Sequence, residues 1–113
     1  MLLTVLPVAG QENTTRQIYY QAESEYDIGR IEQALTILQD NIKTFSGNTQ
    51  QSAYRLMALC WLGLDDNEKA EEATRTLLSQ DPYYTASSQD PQRFIDLVES
   101  IKLGLTAKIT TAS

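Results

Sequence analysis

The chain has 113 residues, 42% of them hydrophobic and 21% charged, which is the size and balance of one small globular domain. Its 15 acidic and 9 basic residues give a net charge of −6 at pH 7, and no run of lysine or arginine offsets it. Nucleic-acid binding is therefore not expected, because recognition of phosphates needs a basic face.

The first ten residues, MLLTVLPVAG, are apolar and uncharged, unlike the rest of the chain. A membrane-spanning helix needs about 20 apolar residues, so no direct membrane span is predicted here. Val8 and Gly10 are the small residues that precede the cleavage point of a secretory signal, although the positive start of such a signal is missing. Residues 1–10 are thus either the remnant of a truncated signal peptide, with export of the chain, or an apolar arm of the domain.

Two helices are predicted in the first half of the chain. The first covers residues 15–28 and ends at Gly29, which suits the left-handed residue that follows many helices. The second covers residues 31–45 and ends at the breaker cluster of residues 46–48. Apolar residues that recur at helical spacing carry this prediction: Ile18, Ala22, Tyr26, Ile31, Ala34, Leu35, Leu38 and Ile42.

Three more helices are predicted in the second half. One covers residues 49–62, and the next begins at a cap formed by Asp66 or Asn67 and stops before Pro82. Asp90 is predicted to cap the fifth helix, with Pro91 at its first position, and this helix ends near residue 105. Residues 11–105 thus form the helical domain, and residues 106–113 are predicted to be a flexible tail that could link to a following domain.

The helices repeat as pairs, because Ala34 and Ala70 occupy matching places 36 positions apart. The second pair resembles a tetratricopeptide repeat, since Tyr54, Ala58, Trp61, Ala70 and Pro82 fill its characteristic positions. The first pair is a degenerate match, with Glu25 in place of an aromatic residue and Ser46 in place of the proline. Small residues let paired helices approach closely, and a stack of pairs needs a capping helix.

The predicted fold is therefore all-α, with two tetratricopeptide-like antiparallel helix pairs and a C-terminal capping helix. The family resemblance implies that a partner binds the concave face made by the first helix of each pair. The residues that point there are Arg16, Tyr19, Glu23, Tyr26, Ser52, Arg55 and Leu59. Tyr19 and Tyr20 either clamp a peptide together, or one lies in the core while the other covers the edge of the domain.

Catalysis is not expected, because the sequence contains no histidine and one cysteine, Cys60. Histidine is the commonest general base and the commonest zinc ligand, so neither a catalytic site, a metal nor a cofactor is predicted. The five glycines are scattered and form no phosphate-binding loop. Cys60 lies in an apolar run, which predicts a buried and unreactive thiol.

The C-terminal third resembles the N-terminal extension of TonB-dependent outer-membrane receptors. The similarity lies in LLSQDPYYTASSQDPQRFIDLVESIK, with Asp90, Pro91 and Phe94 at the start of its helix, and in the ending LTAKITTAS. In those receptors a threonine-rich segment leads into the plug domain and can hold a TonB box, which adds as an edge strand to TonB. The corresponding residues here are Lys108, Ile109, Thr110, Thr111, Ala112 and Ser113, unless they form a disordered tail.

These resemblances imply a non-catalytic interaction module in the periplasm, associated with the outer membrane. Its partner would be a protein or peptide, such as TonB or another component of outer-membrane transport. The alternative is a free-standing tetratricopeptide adaptor or chaperone that binds a peptide in the cytoplasm or periplasm. The sequence does not determine the oligomeric state.

Overall fold

A computed structural model describes the backbone of residues 8–112 and the side chains of residues 13–104. Over that backbone the chain forms five α-helices and no strand: α1 (Val8–Asp27), α2 (Ile31–Asn41), α3 (Gly47–Gly63), α4 (Asn67–Gln80) and α5 (Gln92–Ala112). The prediction of an all-α fold is confirmed. Within the described residues, no helix combines the length and apolarity needed to cross a membrane.

The helices pack as two hairpins followed by a fifth helix. α1 packs on α2 and α3 packs on α4, while α3 also contacts both helices of the first hairpin. α5 covers the second hairpin by packing on α3 and α4. This order confirms two antiparallel helix pairs with an additional helix at the C-terminal end of the stack.

Small side chains occupy the centre of both hairpins. Ala22 and Ala34 of the first pair and Ala58 and Ala70 of the second are all 0% exposed. The space around them is filled by large side chains that are also fully buried, namely Leu38, Leu56, Leu77, Phe94 and Val98. The alanines that defined the repeat in the sequence are thus core residues, and the helices can approach closely because of them.

Two predicted helix ends are confirmed in detail. Gly29 has a φ of +88°, a conformation that glycine adopts without strain, and it follows the end of α1. The Asp66 carboxylate accepts a hydrogen bond of 3.1 Å from the Lys69 amide, which caps the start of α4. The Asp66 cap satisfies one of the amide groups that the first turn of a helix leaves without a partner.

The second helix is shorter than predicted. α2 ends at Asn41, whose side-chain amide donates to the Ile37 carbonyl at 2.8 Å. The Thr44 amide and hydroxyl then both donate to the Asn41 carbonyl, at 2.9 and 2.7 Å, and this turns the chain out of the helix. Phe45 was predicted inside the helix; it follows that turn and is only 2% exposed.

The first and last helices are longer than predicted. α1 begins at Val8 instead of near residue 15, and α5 continues through Ala112, past the predicted end at residue 105. Residues 106–112 contain no glycine or proline that would interrupt a helix, whereas the added part of α1 includes Gly10. The backbone of residues 106–112, predicted as a flexible tail, is therefore helical. The signal-peptide interpretation concerns residues 1–10, of which 1–7 lie outside the described residues.

Substitution of the central alanines tests this packing. Ala58→Leu or Ala70→Leu inserts a larger side chain where no space is open, and we expect each to lower the free energy of unfolding by about 1–3 kcal/mol. Urea titrations measure the change. Gln39→Leu, at an exposed position of α2, is the control and should change stability by less than about 0.5 kcal/mol. Unchanged stability in both alanine variants would contradict the proposed pairing of the helices.

Candidate functional site

The predicted concave-face residues differ in how far they reach the surface. Arg16 is exposed, while Glu23, Tyr26, Ser52 and Arg55 are partly exposed. The remaining two are core residues, because Tyr19 is only 7% exposed and Leu59 only 4%. A partner could therefore touch the first group directly, whereas Tyr19 and Leu59 support the face from below.

The Arg55 side chain of α3 is the centre of this face. Its guanidinium donates a hydrogen bond to Asp90 Oδ1 and forms an ion pair with it. The Asp90 side chain is only 3% exposed, against 31% for Arg55. The second carboxylate oxygen of Asp90 accepts from the Ser87 amide at 2.9 Å. Asp90 therefore joins α3 to the loop between α4 and α5.

The sequence predicted a different role for Asp90, as the cap of the fifth helix. Its carboxylate instead serves Arg55 and the Ser87 amide. The Pro91 carbonyl accepts the first amides of the helix, from Phe94 at 3.0 Å and from Ile95 at 3.1 Å. A partly buried guanidinium is costly without a charged partner, so the Asp90 carboxylate pairs with Arg55 rather than with the first amides of the helix.

Tyr84 of the α4–α5 loop also lies near Arg55, and no pattern in the sequence predicted this. The pKa of its hydroxyl is raised by partial burial and by the Asp90 charge, while the nearby Arg55 guanidinium acts to lower it. Its ring packs edge-on against Phe94, with 6.5 Å between centroids. Its main-chain carbonyl accepts from the Lys102 ammonium of α5. The α4–α5 loop is therefore attached to α5 through Tyr84 and to α3 through Asp90.

The tyrosines of α1 complete the surroundings of Arg55. Burial, followed by the charge of Glu23, raises the pKa of the Tyr19 hydroxyl to about 12. Burial also raises the pKa of Tyr26. The charge of Arg55 acts to lower this pKa, and the charge of Asp90 acts to raise it. Burial acts to lower the pKa of Arg55, but the hydrogen bond and charge of Asp90 outweigh it and raise that pKa. The guanidinium thus stays charged.

Tyr19 and Tyr20 do not form a clamp. Their rings are 5.7 Å apart and tilted by 60°, but Tyr19 lies in the core and Tyr20 is 53% exposed. This arrangement confirms the second interpretation of the pair, in which one ring is core and the other covers the edge of the domain.

The accessible part of this face consists of polar and aromatic side chains. Within the described residues, no buried side-chain nitrogen or oxygen lacks a hydrogen-bond partner. The same part of the chain holds no group of three carboxylate or cysteine side chains placed to bind a metal ion. The groups of this face that solvent reaches include the Arg55 guanidinium, the Tyr26 phenol, the Glu23 carboxylate and the Ser52 hydroxyl. Such groups suit the recognition of another surface.

Cys60 is fully buried, as predicted from its apolar surroundings. Burial alone raises the pKa of its thiol to about 12. Since the thiolate is the nucleophilic form, this thiol is unreactive in the folded protein at neutral pH.

The predicted TonB-box residues, 108–113, have side chains outside the described residues, so their role stays a prediction. Comparison of the chain with protein-family models, with curated proteins and with solved structures finds no match. The tetratricopeptide and receptor resemblances therefore rest on the sequence motifs alone.

Replacing the buried carboxylate tests the contact at the centre of the face. Asp90→Asn keeps the shape of the side chain but leaves Arg55 without a charged partner, and we expect a loss of about 1–3 kcal/mol in unfolding free energy. Asp96→Asn, at an exposed position of α5, is the matched control and should stay within about 0.5 kcal/mol of the parent. Equal unfolding free energies for Asp90→Asn and Asp96→Asn would show that the Arg55–Asp90 pair contributes nothing to stability.

The buried thiol and phenol predict a loss of stability at alkaline pH. The pKa of Cys60 is raised from 9.0 to about 12, and that of Tyr19 from 10.0 to about 12. The unfolded chain therefore releases these protons at lower pH, so stability is constant below about pH 9 and falls as pH rises toward about 12. The slope is at most about 1.4 kcal/mol per pH unit for each group.

Urea titrations between about pH 8 and pH 11 measure this decline. Tyr19→Phe and Cys60→Ala should each make it shallower, because each removes one of the titrating groups. A decline as steep as that of the parent in both variants would assign it to other residues.

Proposed function

We propose that this protein is a non-catalytic protein-interaction module that binds a peptide or protein segment on the face around Arg55. The observation that supports this most directly is the convergence of α1, α3 and the α4–α5 loop on one side chain. Glu23, Tyr26 and Ser52 lie partly exposed on the two helices, and Tyr84 and Asp90 approach Arg55 from the loop.

The composition of this face favours recognition over catalysis. Tyrosine and arginine are enriched among the residues that carry most of the binding energy in protein interfaces. Arg55 is already held by Asp90, so little side-chain entropy is lost when a partner binds. Such preorganisation raises affinity without additional contact area.

We further propose that the module is tetratricopeptide-like and belongs to the periplasmic part of a TonB-dependent receptor, where it assists the assembly or regulation of outer-membrane transport. The support is the sequence resemblance of the two ends of the chain and the helix-pair pattern. TonB would bind residues 108–113 as an added strand. Since α5 is helical through Ala112, its last turns must unwind for this to occur.

Blocking the face tests the binding proposal. A displayed library of unstructured peptides is selected on the parent protein, and the selected peptides are titrated by fluorescence anisotropy. Ser52→Arg places a bulky side chain on the face and should weaken binding at least about tenfold, or roughly 1.4 kcal/mol. Ser79→Arg, at an exposed position of α4, is the control and should bind like the parent. Peptides that bind both variants equally would exclude this face.

Cell fractionation tests the location. The natural gene, expressed in its own host with a C-terminal tag, should give protein in the periplasmic and outer-membrane fractions. A cytoplasmic fraction would contradict the receptor proposal and favour the free-standing adaptor.

Purified TonB periplasmic domain is then titrated with the chain and with a variant lacking residues 108–113, and only the full chain should bind.

A further inference from the structure

A second surface lies on the first hairpin, outside the face around Arg55. It consists of two adjoining depressions of about 480 and 510 Å³ that share Glu25 and Ile37. The lining residues belong to α1 and α2, so this surface, which we name the hairpin groove, lies on the first hairpin alone. Its further lining residues are Gln17, Tyr20, Gln21, Ser24, Glu32, Gln33 and Thr36.

The hairpin groove has an apolar floor and an acidic rim. Tyr20 is 53% exposed and Ile37 is partly buried, so the two supply hydrophobic surface that solvent still reaches. Glu25 and Glu32 supply two carboxylates on the rim. Glu25 lies 3.7 Å from Arg30, whose side chain is 62% exposed, and Glu32 makes no ion pair within the described residues. The rim is therefore negative overall.

The two ends of the helix stack are covered differently. α5 packs on α3 and α4 and so covers the second hairpin. Within the described residues, the first hairpin is contacted by one further helix, α3. A single hairpin cannot bury both of its faces by itself, and stacked helix pairs normally place another helix against the free one. Within the described residues, no helix fills that place on α1 and α2.

We propose that the hairpin groove binds one amphipathic helix of a partner protein, with an aliphatic stripe on Tyr20 and Ile37 and lysine or arginine beside Glu25 and Glu32. A groove between two helices accepts a third helix through its apolar face, and the charges at the rim select its flanks. α2 has 11 residues, so about three helical turns of the partner would be in contact. The groove shares no residue with the face around Arg55, and its test is therefore independent of the proposed function.

Selection from a displayed library of helical peptides of about 15 residues (roughly 22 Å) tests this directly. The selected peptides should carry aliphatic residues three and four positions apart with lysine or arginine next to them. Tyr20→Lys should weaken their binding at least about tenfold, while the matched control Tyr83→Lys, at a residue 90% exposed in the α4–α5 loop, should not. Glu32→Lys should also weaken binding, and Glu72→Lys on α4 should not.

Circular dichroism shows whether each variant is folded. If Tyr20→Lys does not fold, Glu32→Lys still tests the proposal, because Glu32 is exposed. Acidic selected peptides, or peptides insensitive to both Tyr20→Lys and Glu32→Lys, would overturn it. Tight self-association that Tyr20→Lys abolishes would instead assign the groove to a second copy of the chain. Stronger peptide binding after deletion of residues 1–7 would assign it to the chain's own N-terminal segment.

Discussion

The contact between Arg55 and Asp90 determines how the second half of this protein is arranged. A carboxylate that is 3% exposed is costly unless it is paired and hydrogen-bonded, and Asp90 obtains both from Arg55 and the Ser87 amide. The pair joins residues 35 positions apart. It thereby fixes the loop that leads into α5, and with it the helix that covers the second hairpin.

The same contact connects the core to the proposed recognition face. Buried alanines let α1 and α3 lie close enough for Tyr19, Tyr26 and Arg55 to interact across the two helices. The loop then adds Tyr84, whose ring rests on Phe94. Packing therefore sets the distances between the side chains of the face. The ion pair sets the orientation of Arg55, which is partly buried. A rigid face of this kind can bind without first being ordered.

Local patterns in the sequence were sufficient to predict the five helices, although not the start of α1 or the ends of α2 and α5. Contacts between distant residues were not visible in the sequence. Gly29 and the Asp66 cap act within a few residues of their own helices, so both helix ends were predicted correctly. The burial of Cys60 followed from its apolar neighbours. Asp90 was misassigned because aspartate before proline is a common helix start, and its pairing with Arg55 depends on the tertiary fold. Tyr84 was missed for the same reason.

A double-mutant cycle between Arg55 and Asp90 tests the central claim most directly. Arg55→Met, Asp90→Asn and the double variant are compared with the parent by urea titration, and the coupling energy is taken from the four unfolding free energies. We expect a favourable coupling of at least about 1.5 kcal/mol, in the range measured for close, desolvated charge pairs. Additive effects, with a coupling near zero, would show that the pair does not hold the loop and α5 in place.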